Sequence, residues 1–168
     1  MPLFALRRED DLGIGDIEAL RQFIDWGASI GFKLLQLLPI NEMGGDHSPY
    51  NAISSVSIDP TTLYLAPGSP KELSKEDFDE TVAQFDLQKL RKGTVKHSHV
   101  RRLKMALLKK AFLNLSQRTQ ADPAAVTEFD AFCETEKSWL KEYAFFRALM
   151  EENGNKEQTD QAQNEERR

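Results

Sequence analysis

From Ile17 onward the apolar positions step by three and four: Ile17, Leu20, Phe23, Ile24, Gly27 and Ala28 share one face of a helix. Asp16 is placed to cap that helix by accepting from its first free N–H groups, and Gly31 to stop it. Short apolar runs lie on either side. Residues 3–6 read as one strand, and residues 32–39, which end in Pro39, as another. The second run is nearly continuous in leucine, as in a strand of a parallel sheet covered on both faces. Strand, helix and strand within about thirty residues make a βαβ unit, so the chain reads as α/β.

The pattern changes twice more. Residues 41–72 carry no sustained period and are rich in glycine and proline, yet they include Tyr50, Ile53, Val56, Ile58, Leu63, Tyr64 and Leu65. An irregular stretch this long with such apolar content predicts an ordered, functional loop. Residues 74–153 return to helical spacing. Ser74 and Asp77 resemble a capping box, and Val100, Leu103, Leu107 and Ala111 form one stripe. Asp122-Pro123 predicts a further helix start, Phe129 to Leu149 continues the pattern, and Asn153-Gly154 is a stop signal. Residues 155–168 have Ala162 as their only apolar side chain, which predicts a disordered polar tail. The chain divides into a βαβ unit with its long loop (1–72), a helical subdomain (73–154) and that tail.

Composition narrows the class. With 168 residues the chain has room for one ordinary domain, but not for a closed (β/α)8 barrel, which needs about 250. A net charge of −5 speaks against nucleic acid as the main partner, because phosphate binding needs a cationic face. The single cysteine, Cys133, excludes an internal disulfide and a cysteine-rich zinc site. No apolar run approaches the roughly 20 residues of a membrane span, and the first residues lack the apolar core of a signal peptide. The expectation is a cytoplasmic protein with no membrane partner.

Three groups of residues invite chemistry. Gly13-Ile14-Gly15-Asp16 lies at a strand-to-helix turn, but the third glycine of a phosphate loop is replaced by Glu18, and the acids nearby repel anions. A capped turn explains it. His97 and His99 stand one residue apart before a basic helix and read as solvated, not as metal ligands. Asp46-His47-Ser48-Pro49-Tyr50-Asn51 is too compact for a proton relay, which draws its members from distant segments. It follows a strand end, where α/β folds place their ligands. A tyrosine ring beside hydroxyl and amide groups suits a sugar, the ring covering its apolar face. From spacing alone, a buried tyrosine in an ordered loop is the stronger of the two readings.

Longer segments carry a resemblance. PLFALRREDDLGIGD (2–16), FIDWGASIGFKLLQLLPIN (23–41) and GGDHSPYNAISSVSIDPTTLYL (44–65) resemble the amylomaltase family, the 4-alpha-glucanotransferases or disproportionating enzymes. SPYN is the most specific part, and WLKEYAFFRAL (139–149) adds to it. The resemblance implies the N-terminal portion of a (β/α)8 barrel, its first βα units followed by a mainly helical insertion. It implies transfer of alpha-1,4-glucan segments between maltooligosaccharides with retention, in starch, glycogen and maltodextrin metabolism, and it implies no cofactor. It places Ser48 and Tyr50 as glucan contacts, with Asp46 and Asn51 as weaker candidates that shape the loop. The family's catalytic carboxylates belong to later barrel strands, so none of the 27 acidic residues here is given a catalytic role. The expected partner is then a C-terminal catalytic half. The alternative is a noncatalytic remnant that binds glucan weakly or not at all.

Overall fold

The computed structural model describes residues 1–121 and 123–153, and these are mostly helical. Six α-helices follow in order: α1 (Ile17–Ser29), α2 (Lys75–Val82), α3 (Leu87–Arg91), α4 (His97–Ala121), α5 (Pro123–Thr135) and α6 (Leu140–Glu152). Short 3₁₀ turns cover Leu3–Ala5 and Pro60–Thr62.

The helix starts follow local side-chain chemistry. Asp16 is extended and accepts from the Ala19 N–H at 2.9 Å, capping α1 as its sequence position predicts. Ser74 and Asp86 cap α2 and α3 in the same way, through Asp77 and Lys89. In α2 the Asp77 carboxylate also accepts from the Ser74 hydroxyl at 3.0 Å. Pro123 opens α5 at the position where a missing N–H costs nothing. The expected cap at Asp122 and the expected disordered tail over 155–168 lie outside the described residues.

Among the described residues there is no regular strand, which corrects two expectations. Residues 3–5 form a 3₁₀ turn, and residues 32–39 run without ladder partners of their own. What exists is a single rung. The Met1 amino group donates to Gln36 O at 2.9 Å, and the Leu38 N–H donates to Met1 O at 2.9 Å. That is the slanted donor and acceptor pattern of a parallel pair, centred on Leu37. An apolar strand needs neighbours on both edges, and one residue supplies too little. Leu34 is consequently 84% exposed, with Phe32 and Ile30 over half exposed beside it. The expected apolar face of α1 is likewise only partly covered, with Phe32 against Gly27 and Ile24 about half exposed.

The core lies around α4. Leu103, Leu107 and Ala111 pack with Leu12, Leu65, Leu73 and Leu90, and Phe78, Val82 and Phe85 close the margin. The α4 stripe seen in the sequence is thus the centre of the hydrophobic cluster, and α2, α5 and the Pro60–Thr62 turn all pack on α4. The turn at residues 10–16 is drawn into this core by Asp11. Arg7 grips its carboxylate at 2.7 and 2.9 Å, and the N–H groups of Arg8 and Gly13 donate to it at 2.9 and 2.8 Å. Burial alone would raise the Asp11 pKa, but these donors outweigh it and hold the carboxyl below its ordinary range.

Gly15 marks the tightest approach. A Cβ there would stand 2.2 Å from Leu3 O and 2.5 Å from Leu6 O, both backbone atoms. Gly15→Ala is therefore expected to cost on the order of 2 kcal/mol through overpacking. A denaturant melt measures it, and an unchanged midpoint would show that this turn is not closely packed.

Candidate functional site

The loop singled out in the sequence is built on a narrow antiparallel stem. Asn41 bridges Ile58, and Met43 bridges Ala52. The Met43 N–H donates to the buried Asp59 carboxylate at 3.2 Å, while Asp59 also accepts from Thr61 N–H and hydroxyl at 2.8 and 2.6 Å. Asp59 thereby fastens the stem to the Pro60–Thr62 turn that packs on α4.

Above the stem the loop is held by its own polar groups. One Asp46 oxygen accepts from the Ser48 N–H at 3.0 Å and the other from the Asn51 side-chain amide at 3.1 Å. These two bonds, that from Ser48 first, hold the Asp46 carboxyl below its ordinary range. Ser48 Oγ accepts from the Tyr50 N–H at 3.3 Å, Asn51 N–H donates to Ser48 O at 3.0 Å, and Gly44 N–H donates to Asn51 O at 3.1 Å. Asp46 and Asn51 therefore close a ring of bonds around Ser48-Pro49-Tyr50. Tyr50 stands out of that ring with 76% of its surface exposed. This removes the reading of Tyr50 as a buried residue that locks an ordered loop.

His47 adopts φ +56°, a region that few side chains occupy. Its ring lies flat on that of His97, the first residue of α4, with centroids 4.6 Å apart and planes 11° apart. Phe4 meets the other imidazole edge-on at 5.5 Å. The expectation that His97 is solvated is thus corrected: it is half-buried between an aromatic ring and the loop. Burial pushes its pKa down, His47 adds to that, and Asp59 opposes it. His99 is exposed, as expected.

A cavity of about 470 Å³ opens between residues 43–47, the start of α4 and the end of α6. Its walls include Met43, His47, Asp59, His97, Arg101 and Arg147, whereas Ser48, Tyr50 and Asn51 lie outside them. The loop thus has two sides, one facing this cavity and one presenting Tyr50 to solvent. Glu42, Arg101, Tyr143 and Arg147 converge beneath the loop. Sequence reasoning missed this cluster, since Glu42 stands 59 or more positions from each of the other three and no local pattern connects it to them. Among the described residues no three His, Cys, Asp or Glu side chains come together as a metal site, and no helix is long and apolar enough to cross a membrane.

An exposed tyrosine held in a frame of hydroxyl, amide and carboxylate groups is the kind of surface that sugars occupy. The profile of the 4-alpha-glucanotransferase family matches residues 1–168. The 4-alpha-glucanotransferase of Chlamydia muridarum is 34% identical over 152 residues, covering 90% of this chain and 28% of that protein. That of Chlamydia trachomatis is 36% identical over 151 residues, with the same coverage. The 4-alpha-glucanotransferase DPE2 of Oryza sativa subsp. japonica is 30% identical over 157 residues, covering 90% of this chain and 16% of its own length. The chain belongs to the 4-alpha-glucanotransferase family. It spans about a quarter of the length of its chlamydial relatives.

Proposed function

We propose that residues 43–51 form a glucan contact and that the chain serves an enzyme transferring alpha-1,4-glucan segments between maltooligosaccharides. Membership of the family supports the activity. The observation that carries the site is Tyr50, 76% exposed on a loop whose shape is set by Asp46, Ser48 and Asn51. In this reading the Tyr50 ring covers the apolar face of a glucose unit. The Ser48 hydroxyl bonds a sugar hydroxyl, and Asp46 and Asn51 keep both in place.

The chemistry proposed for the whole enzyme is a retaining double displacement. A carboxylate attacks the anomeric carbon while a carboxylic acid protonates the departing glucan oxygen. A hydroxyl of the acceptor glucan, losing its proton to the same group, then displaces the enzyme carboxylate. Both carboxyl groups are assigned to the part of the relatives that this chain does not span. We assign the chain to the first βα units of a (β/α)8 barrel with a helical insertion, and to the cytoplasm. The parallel rung between Met1 and residues 36–38 supports the barrel assignment.

Tyr50→Ala in the full chain tests the site. An aromatic contact is worth about 1 kcal/mol beyond buried area, so maltoheptaose affinity is expected to fall roughly tenfold, the factor for 1.4 kcal/mol. The melting temperature should hold, because an exposed ring supports no core. Tyr64 is the control: it is half-buried, with the Arg8 guanidinium 5.3 Å from its ring centre. Its replacement should lower the melting temperature and spare affinity. The reverse pattern in the two variants would remove Tyr50 from the site.

A further inference from the structure

Glu42 is 1% exposed, yet its carboxylate meets groups from two helices far along the chain. Arg101 of α4 donates to Oε1 at 2.8 Å, and Arg147 of α6 stands 3.4 Å from the same oxygen. The Tyr143 hydroxyl of α6 donates to Oε2. The main chain of Glu42 is equally engaged. Its N–H donates to Ser57 O at 3.0 Å, and its carbonyl accepts from the Ile53 N–H at 2.8 Å. One residue at the root of the loop thus holds the far flank of the stem with its backbone and ties that root to α4 and α6 with its side chain.

A buried ion cluster adds little net stability, since taking the charges out of water offsets their attraction. What the carboxylate adds is direction. Its two oxygens are satisfied together only where Arg101, Arg147 and Tyr143 converge, so the position of α6 and the position of the loop root are set against each other. An apolar residue of the same volume would fill the space without fixing that relation. Charge, burial and three partners at one point in the stem are more than packing requires.

We propose that Glu42 is the positioning residue of the glucan loop, holding residues 43–51 against α6 in the arrangement that presents Ser48 and Tyr50 to an alpha-1,4-glucan. The proposal rests on the glucan reading of the loop given above. Glu42 touches no sugar in this account; it acts through the stem.

Two variants of the full chain test it. Tyr143→Phe removes one hydroxyl and leaves both arginines on Glu42, so the fold is retained. Glu42→Gln keeps the shape and removes the charge. In both, the amides of Gly44, Asn51 and Ile53 should exchange hydrogen about fivefold faster, the factor for one lost hydrogen bond of ordinary strength, while amides of α2 exchange as in the wild type. Maltoheptaose affinity should fall in Tyr143→Phe but fall no further when that change is added to Tyr50→Ala, because the two changes remove one shared contribution. Loop amides exchanging at the wild-type rate in Tyr143→Phe would overturn the proposal. So would an affinity loss that is the same with and without Tyr50, since that is the mark of a general structural role. Should the wild-type chain fail to bind maltoheptaose, the glucan reading falls, and the exchange rates alone uphold or overturn Glu42 as the residue that holds the loop.

Discussion

The wild-type chain is expected to gain stability over its Lys104→Met variant as the pH rises from 8 to 10.5. Lys104 lies on α4 with 1% of its surface exposed, and its ammonium donates to Leu63 O at 2.6 Å. Burial pushes its pKa down from 10.5 to about 8, although Asp16, Asp11 and Asp59 oppose the shift. Below pH 8 both the folded and the unfolded chain carry the proton, and the folded state bears the full cost of a buried charge. Between pH 8 and 10.5 the folded chain has released it and the unfolded chain has not. The unfolded state then binds more protons, so stability rises with pH across this window and levels off above it. The gain is roughly 3 kcal/mol for a shift of this size. Methionine keeps the apolar stem of the lysine and titrates nowhere in the range, so groups common to both proteins cancel in the difference. Urea melts at pH 7 and pH 10.5 on both proteins measure it. A constant difference between them would mean that Lys104 keeps an ordinary pKa in the folded chain.

The second large effect concerns association. Ile24, Trp26, Ile30, Phe32 and Leu34 are each about half exposed or more, and they lie together on α1 and the segment after it. A large apolar side chain gains about 2 kcal/mol on full burial, so a patch of five is a strong drive to self-association. The chain purified by itself is expected to bind a hydrophobic dye and to sediment as oligomers. Ile24→Lys combined with Leu34→Glu should yield monomers and lose most of the dye signal. The fold should survive, since neither residue belongs to the core around α4. A monomeric wild type with a sharp melt and no dye binding would show that this surface is not adhesive.

The parts legible in the sequence are those set by contacts within a few residues. Asp16 before Ile17 reads as a cap because the acceptor and the free N–H groups are three positions apart, and the structure has that bond. The Val100, Leu103, Leu107 and Ala111 stripe reads as a buried helix face because its spacing alone defines the face. The loop around Tyr50 was legible as a polar frame, since Asp46, Ser48 and Asn51 bond within five positions of one another.

Where a partner lies far along the chain, the local reading misleads. Residues 32–39 have the composition of a buried strand, but a strand exists only through its neighbours, and here Met1 alone pairs with it among the described residues. His97 looks solvated beside Lys96, Ser98 and His99, yet Phe4 and His47 close over it from elsewhere. Lys104 comes soon after two arginines, but it stands four positions after Val100 and three before Leu107, so it shares their buried face and its ammonium reaches Leu63 O. Glu42 carries no local sign of burial, since its partners stand 59, 101 and 105 positions away.

In the function proposed above, the exposed side of the 43–51 loop receives an alpha-1,4-glucan. Titrating the isotope-labelled full chain with maltoheptaose, with amide resonances followed residue by residue, tests it most directly. Saturable shifts are expected at Ser48, Tyr50 and Asn51, with the α2 amides still and about tenfold more maltoheptaose needed for half-saturation in Tyr50→Ala. Saturable shifts confined to the cavity walls at His97, Arg101 and Met105, or no shift anywhere in the loop, would contradict it.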